Sequence, residues 1–171
     1  ADYLGLPDAS IELKLTPNRA DCFGVRGIAF DVAAATGCEV EPLHAEPVAA
    51  VTTAAMAVEL SAGADAPRFC CRVIEGVNAT AKTPLWMAQR LLRSGVRPIS
   101  LLVDVTQYIM LELGQPMHAY DRDLLTGPLG VRHARAGETL TLLNGDAAEL
   151  DAQFLVITDA DRVVGLAGIM G

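Results

Sequence analysis

Between Arg97 and Asp121 the apolar residues Leu101, Leu102, Val105, Tyr108, Ile109 and Leu113 recur at three- and four-residue intervals, the spacing of one helical face. Ser100 suits the N-cap, where its hydroxyl can accept from the free amides of the first turn. Gly114 suits the left-handed residue after the last turn, and Pro116 prevents the helix from resuming. The pattern predicts a helix over 101–113 with its apolar face buried and Asp104, Gln107 and Glu112 off that face or at its margin. A lone histidine, His118, then follows just past the helix end, close enough to approach Thr106 or Gln107 if the chain folds back.

Elsewhere the period changes. Ile11 to Leu15 alternates like a strand, and TPNRAD then leads into a helix ending near Thr36 and capped by Gly37, with Val25, Ile28, Ala29 and Val32 on one face. This strand and helix are too small to be a domain, so apolar surface on Val25 to Val32 is expected to be exposed or covered by another copy. Pro42 and Pro47 mark a linker. Ala57 to Leu60 and Arg68 to Val77 read as strands. Thr83 is expected to cap a helix with Pro84 at its first position and with Trp86, Leu91 and Leu92 facing inward before Gly95 ends it. After Asp121 come short strands at hairpin spacing: Gly130–Ala134, Glu138–Leu142, a turn at Asn144-Gly145, Ala147–Leu150, Phe154–Thr158 and Val163–Gly168. Helices and strands in blocks imply an α+β fold, with mixed or antiparallel sheets packed with a few helices plus a small strand-helix appendage.

Composition narrows the class. With 51% hydrophobic and 20% charged residues over 171 positions, the chain can bury a core and disorder is excluded. The aromatic share is only 5%, which leaves Ala, Val and Leu to fill that core. A net charge of -8 argues against broad phosphate neutralisation, so any RNA contact should be local. Cys22, Cys38, Cys70 and Cys71 show no CxxC spacing and read as buried thiols of a reducing compartment. No apolar run reaches the length of a membrane span, and the first residues do not resemble a signal peptide. The expected protein is soluble and cytoplasmic.

Candidate chemistry is sparse. On residue type alone His118 is more often a core histidine satisfied by a backbone carbonyl than a working group. Asp121 and Asp123 sit where aspartate begins a turn or caps a short helix. His133, flanked by Arg132 and Arg135, reads as solvated or paired. Asp159-Ala160-Asp161-Arg162 lacks the glycine and glutamate of a calcium loop and reads as a hairpin turn. No histidine, cysteine and carboxylate spacing matches a metal site. Arg19 in TPNRAD is expected to form a local ion pair near a helix start.

Several segments nevertheless share one resemblance. VDVTQYIMLELGQPMHAYD at Val103 to Asp121, TPNRADCFGVRGIAFDVAAATG at Thr16 to Gly37, TPLWM at Thr83 to Met87, GETLTLLNG at Gly137 to Gly145 and GLAGIMG at Gly165 to Gly171 occur in the order found in the bacterial phenylalanyl-tRNA synthetase beta subunit. The chain resembles that family over its whole length, which is more specific than any single glycine pattern.

The resemblance implies domains at 1–43 (part of a small N-terminal B1-like domain), 44–53 (linker) and 54–171 (a B3/B4-like editing domain, shortened at its C-terminal end). It implies hydrolysis of tyrosine mistakenly esterified to the tRNA for phenylalanine, a second check on a pocket that discriminates poorly against one added hydroxyl. His118 would orient water or the terminal ribose. Thr106 and Gln107 would position the ester and the amino group, and Gly171 would let backbone approach the substrate. The parent enzyme would charge tRNA with ATP and magnesium, pairing with an alpha subunit as an α2β2 tetramer and engaging the acceptor end of tRNA(Phe). No cofactor is expected for this part of it. Two departures stand out: Gln107 occupies the place of the family's asparagine, and the acidic residue reading the tyrosine hydroxyl lies downstream of Gly171. The alternatives are a non-catalytic tRNA-positioning module that has lost editing, or a free-standing aminoacyl-ester hydrolase relative.

Overall fold

The structure is a computed structural model that describes Tyr3 and residues 5–168. Its element order confirms an α+β fold: α1 (Val25–Thr36), β1 (Val58–Leu60), α2 (Leu85–Arg93), α3 (Leu101–Leu113), β2 (Leu129–His133), β3 (Thr139–Thr141), β4 (Ala147–Glu149), β5 (Leu155–Asp159) and β6 (Arg162–Leu166). The chain divides into two compact units, residues 1–47 with 78–119 and residues 48–77 with 120–171. The first holds the three helices and the second the strands.

In the helical unit the ends are set by backbone chemistry. Gly37 and Gly114 both adopt left-handed φ, at 74° and 75°, and their amides donate to Ala33 and Met110. Each thereby satisfies a carbonyl that the helix leaves open. At the end of α2 the Gly95 amide donates to Leu92 and that of Val96 to Leu91, the paired bonds of a Schellman turn. Met87 and Leu91 are the buried residues of α2. Trp86 and Leu92, expected to face inward, are 53% and 52% exposed. Thr83 is not a cap: Pro84 precedes the first helical residue, and the Thr83 hydroxyl donates to the Asp104 carboxylate instead.

Asp104 reverses another expectation. Placed off the buried face by periodicity, it is only 1% exposed, whereas Leu102 and Val105 are exposed. Its carboxylate accepts from Thr83 and from the Ile99 amide at 2.8 Å, bonds that make its burial tolerable. Nor is there a strand at 11–15 or at 68–77. Alternation alone supplies no hydrogen-bonding neighbour, and a strand needs one. Along α1 no residue is buried, and Val25, Phe30 and Val32 are exposed, the open apolar face anticipated from the shortness of this segment.

The strand unit is better filled. A mixed four-stranded sheet runs in the order β1-β2-β5-β6, with β1 parallel to β2 and the other pairs antiparallel, beside a β3-β4 hairpin. Leu129, Val131 and Ile157 form one buried cluster under Met56, Phe69 and Tyr120; Ala134, Leu150 and Val156 form another under Leu140, Val163 and Leu166. The β5-β6 connection at Asp159-Ala160-Asp161-Arg162 is the expected hairpin turn, with Ala160 at φ 49°. The buried Asp159 carboxylate ties it down, accepting from the Thr126 and Gly127 amides at 2.8 and 2.9 Å and from Arg162 at 2.8 Å. Those donors, the Arg162 guanidinium foremost, hold its pKa down at about 2.

Candidate functional site

α3 carries Thr106 and Gln107 in its middle turns, both half-buried, and ends at the left-handed Gly114. Four residues on, past Pro116, His118 is exposed. It is not the core histidine that residue type alone favours. All three residues belong to the helical unit. Gly171 lies outside the described residues.

The turn that leads to His118 is buttressed from the N-terminal segment. A Cβ on Gly24, the residue just before α1, would stand 2.7 Å from the Gly114 nitrogen and 3.0 Å from its Cα. Only a residue without a side chain allows the two backbones this contact. The TPNRAD segment itself is rigidified by Arg19, which pairs with Asp21 at 2.9 Å and Asp31 at 2.7 Å. These bonds lower the pKa of both carboxyls, that of Asp21 to about 2. Arg19 is therefore the local ion pair expected from its place near a helix start. Thus residues near position 20, remote in sequence from His118, support the turn before it. Neither periodicity nor spacing points to this role for Gly24; the signal is the chain's return to one place.

Thr106 donates its hydroxyl to the Val103 carbonyl at 2.7 Å. Its proton is therefore engaged with the helix backbone, and the oxygen lone pairs are what it can offer a ligand. A positively charged amino group fits that need better than an ester carbonyl. Beside it, Tyr108 accepts from Arg90 at 2.6 Å and its hydroxyl lies 3.3 Å from Glu112, while its ring meets Trp86 edge to face with centroids 5.3 Å apart. Arg90 also lies over the Trp86 ring, 5.4 Å from its centroid. A cleft of about 330 Å³ opens beside these helices, lined by Thr80, Lys82, Thr83, Ile99, Ser100 and Asp104 among others.

The other candidates have structural explanations. Asp121 caps the short turn Arg122–Leu124 by accepting from the Asp123 amide. His133 pairs with Asp65 at 3.0 Å. Arg132 and Glu138 form a two-pronged ion pair at 2.6 and 2.8 Å, which holds the Glu138 pKa at about 2. Of the four cysteines only Cys22 is buried; Cys38, Cys70 and Cys71 are exposed. Their segments do not join a sheet or helix that would cover them. Among the described residues no group of three or more His, Cys, Asp or Glu could hold a metal ion, and no helix is long and apolar enough to cross a membrane.

Residues 65–171 match the B3/4 domain family, and the chain belongs to that family. Across all 171 residues it is 69% identical to the phenylalanine-tRNA ligase beta subunit of Xanthomonas euvesicatoria pv. vesicatoria. The corresponding subunits of Xanthomonas oryzae pv. oryzae and Xylella fastidiosa are 68% and 65% identical over the same length. The chain spans 22% of the length of each of these relatives.

Proposed function

We propose that this chain is the editing part of a phenylalanine-tRNA ligase beta subunit and hydrolyses tyrosine mistakenly esterified to tRNA(Phe). The observation that carries the reading is the full-length likeness to subunits of that name. The open position of His118 beyond α3 is consistent with it.

Hydrolysis requires one water placed on the ester carbon and a donor for the oxyanion that develops there. Attack by water forms a carbon–oxygen bond and expels the ribose oxygen, leaving free tyrosine and intact tRNA. His118 orients that water or the terminal ribose. Thr106, its proton held by Val103, accepts from the substrate's amino group. Gln107 positions the ester, with a side chain one methylene longer than the family's asparagine. Gly171 is assigned, from the resemblance alone, a backbone contact with the substrate. Charging itself would use ATP and magnesium together with an alpha subunit in an α2β2 assembly, in the cytoplasm; the described residues here do not offer a metal-holding group.

The test is tyrosine release from mischarged tRNA(Phe) by the full-length ligase, wild type against His118→Ala. Charging should remain nearly intact while deacylation slows by about a hundredfold, the scale of one catalytic positioning or proton-transfer group. No release by wild type would reject editing and leave a tRNA-positioning module. Equal loss of charging and deacylation would reject the assignment of His118.

A further inference from the structure

The net charge of -8 is not evenly spread. From Asn78 to Val103 the chain carries Lys82, Arg90, Arg93 and Arg97 and not one aspartate or glutamate. Arg93 is neutralised by Asp8 at 2.7 Å. Lys82, Arg90 and Arg97 are exposed and form no ion pair among the described residues. In the middle of this cationic stretch stands Trp86, the only tryptophan of the chain, 53% exposed.

Trp86 is presented rather than merely left out. Tyr108 supports it edge to face at 5.3 Å, and Arg90, one helical turn along α2, lies over its ring while donating to the Tyr108 hydroxyl at 2.6 Å. These contacts fix the indole's orientation while over half of it stays accessible. A fixed aromatic face with the Arg90 guanidinium over it, on a stretch of chain whose charged residues are all cations, suits a ligand that has both flat rings and repeated negative charge. An unpaired nucleic-acid strand has both. An acidic peptide would supply the charge without the rings, and an apolar helix the reverse.

We infer that Trp86 and Arg90 form a stacking platform for the unpaired 3′ end of an RNA, Trp86 taking a base and Arg90 the phosphate beside it. The inference rests on the proposed function for the identity of that RNA. Tyr108 directly follows Gln107 on α3, so the platform and the side chain assigned to the ester leave the same helical turn about 100° apart around its axis. A base close to the esterified nucleotide would reach it. Local binding of this kind reconciles an acidic protein with an RNA substrate.

The experiment uses the full-length ligase. Tyrosine release is measured against concentration of mischarged tRNA(Phe) for wild type, Trp86→Ala, Trp86→Phe and Arg90→Gln, and deacylated tRNA with photoreactive thionucleotides in its unpaired 3′ end is cross-linked and mapped. Trp86→Ala should raise KM about tenfold with little change in kcat, and Trp86→Phe should recover most of it. Arg90→Gln should reduce the salt dependence of binding by about 0.7 in the log–log slope. Cross-links should fall on α2. An unchanged KM in Trp86→Ala with cross-links elsewhere overturns the platform, and loss of a partner subunit in that variant would assign the surface to protein contact. If wild type releases no tyrosine, editing fails, yet the cross-link still decides whether RNA lies on Trp86.

Discussion

The helical unit and the strand unit use similar amino acids to opposite ends. The strand unit buries Leu129, Val131, Ala134, Leu150, Val156 and Ile157 in two clusters, while among its described apolar residues the helical unit buries only Cys22, Met87 and Leu91. In exchange the helical unit leaves Val25, Phe30, Trp86, Leu102 and Val105 open, and spends one of its most buried positions on Asp104. It is also the unit that carries Thr106, Gln107 and His118. Cores stabilise by removing apolar surface from water. A surface that recognises a ligand must keep part of its apolar area available, and under the proposed function the strands would supply support and the helices recognition.

The sharpest way to break that contrast is Leu91→Ala. Leu91 is 1% exposed, one of the most buried apolar side chains of its unit, so truncation should cost about 2–5 kcal/mol. Hydrogen exchange should rise across α2 and α3 while β2 and β5 keep their protection. Uniform loss across both units would show that they unfold together. Asp104→Ala comes next, at about 1–3 kcal/mol, because it strips the Ile99 amide and Thr83 hydroxyl of their acceptor; thermal melts would detect it, and a neutral outcome would mean that water replaces the carboxylate. Gly24→Ala should cost about 1–3 kcal/mol by pushing on Gly114. Its more telling readout is slower tyrosine release at unchanged charging, since the displaced turn leads to His118.

Acid offers a gentler comparison. Asp159 and Glu138 titrate near 2 in the folded strand unit, against about 4 in an unfolded chain. A depressed folded pKa contributes stability above the unfolded value and loses it as pH falls through the folded one. Melting temperature should therefore drop between about pH 4 and pH 2, and Asp159→Asn should flatten the drop. The smallest effect belongs to Arg19→Gln. Its partners Asp21 and Asp31 are over half exposed, so any loss should shrink further in high salt. The Asp159 contribution, from a buried carboxylate, should persist there.

Much of this organisation is readable in the chain. Although Ser100 occupies the N-cap of α3 without the expected side-chain bond, the left-handed glycines at 37, 95 and 114, the C-terminal end of α3 and the order of strands after Asp121 follow from local chemistry that acts within a few residues. So does the cap at Asp121. The readings that fail are those that needed a partner distant in sequence. The strands expected at 11–15 and 68–77 find no neighbouring strand, and Cys70 and Cys71 accordingly stay exposed. Asp104 goes inside because Thr83 and Ile99 arrive with donors.

The candidate site divides the same way. Motif order alone singles out His118, Thr106 and Gln107, and the helix-stop chemistry of Gly114 and Pro116 predicts that His118 leaves the helix. That Thr106 spends its proton on Val103, that Gly24 seats against Gly114, and that Tyr108 and Arg90 hold Trp86 at the surface are matters of tertiary structure. Local sequence determines where backbone hydrogen bonds begin and end, because their partners lie one turn away. Which side chains are buried, paired or presented depends on groups brought together by folding, and only the three-dimensional arrangement decides it.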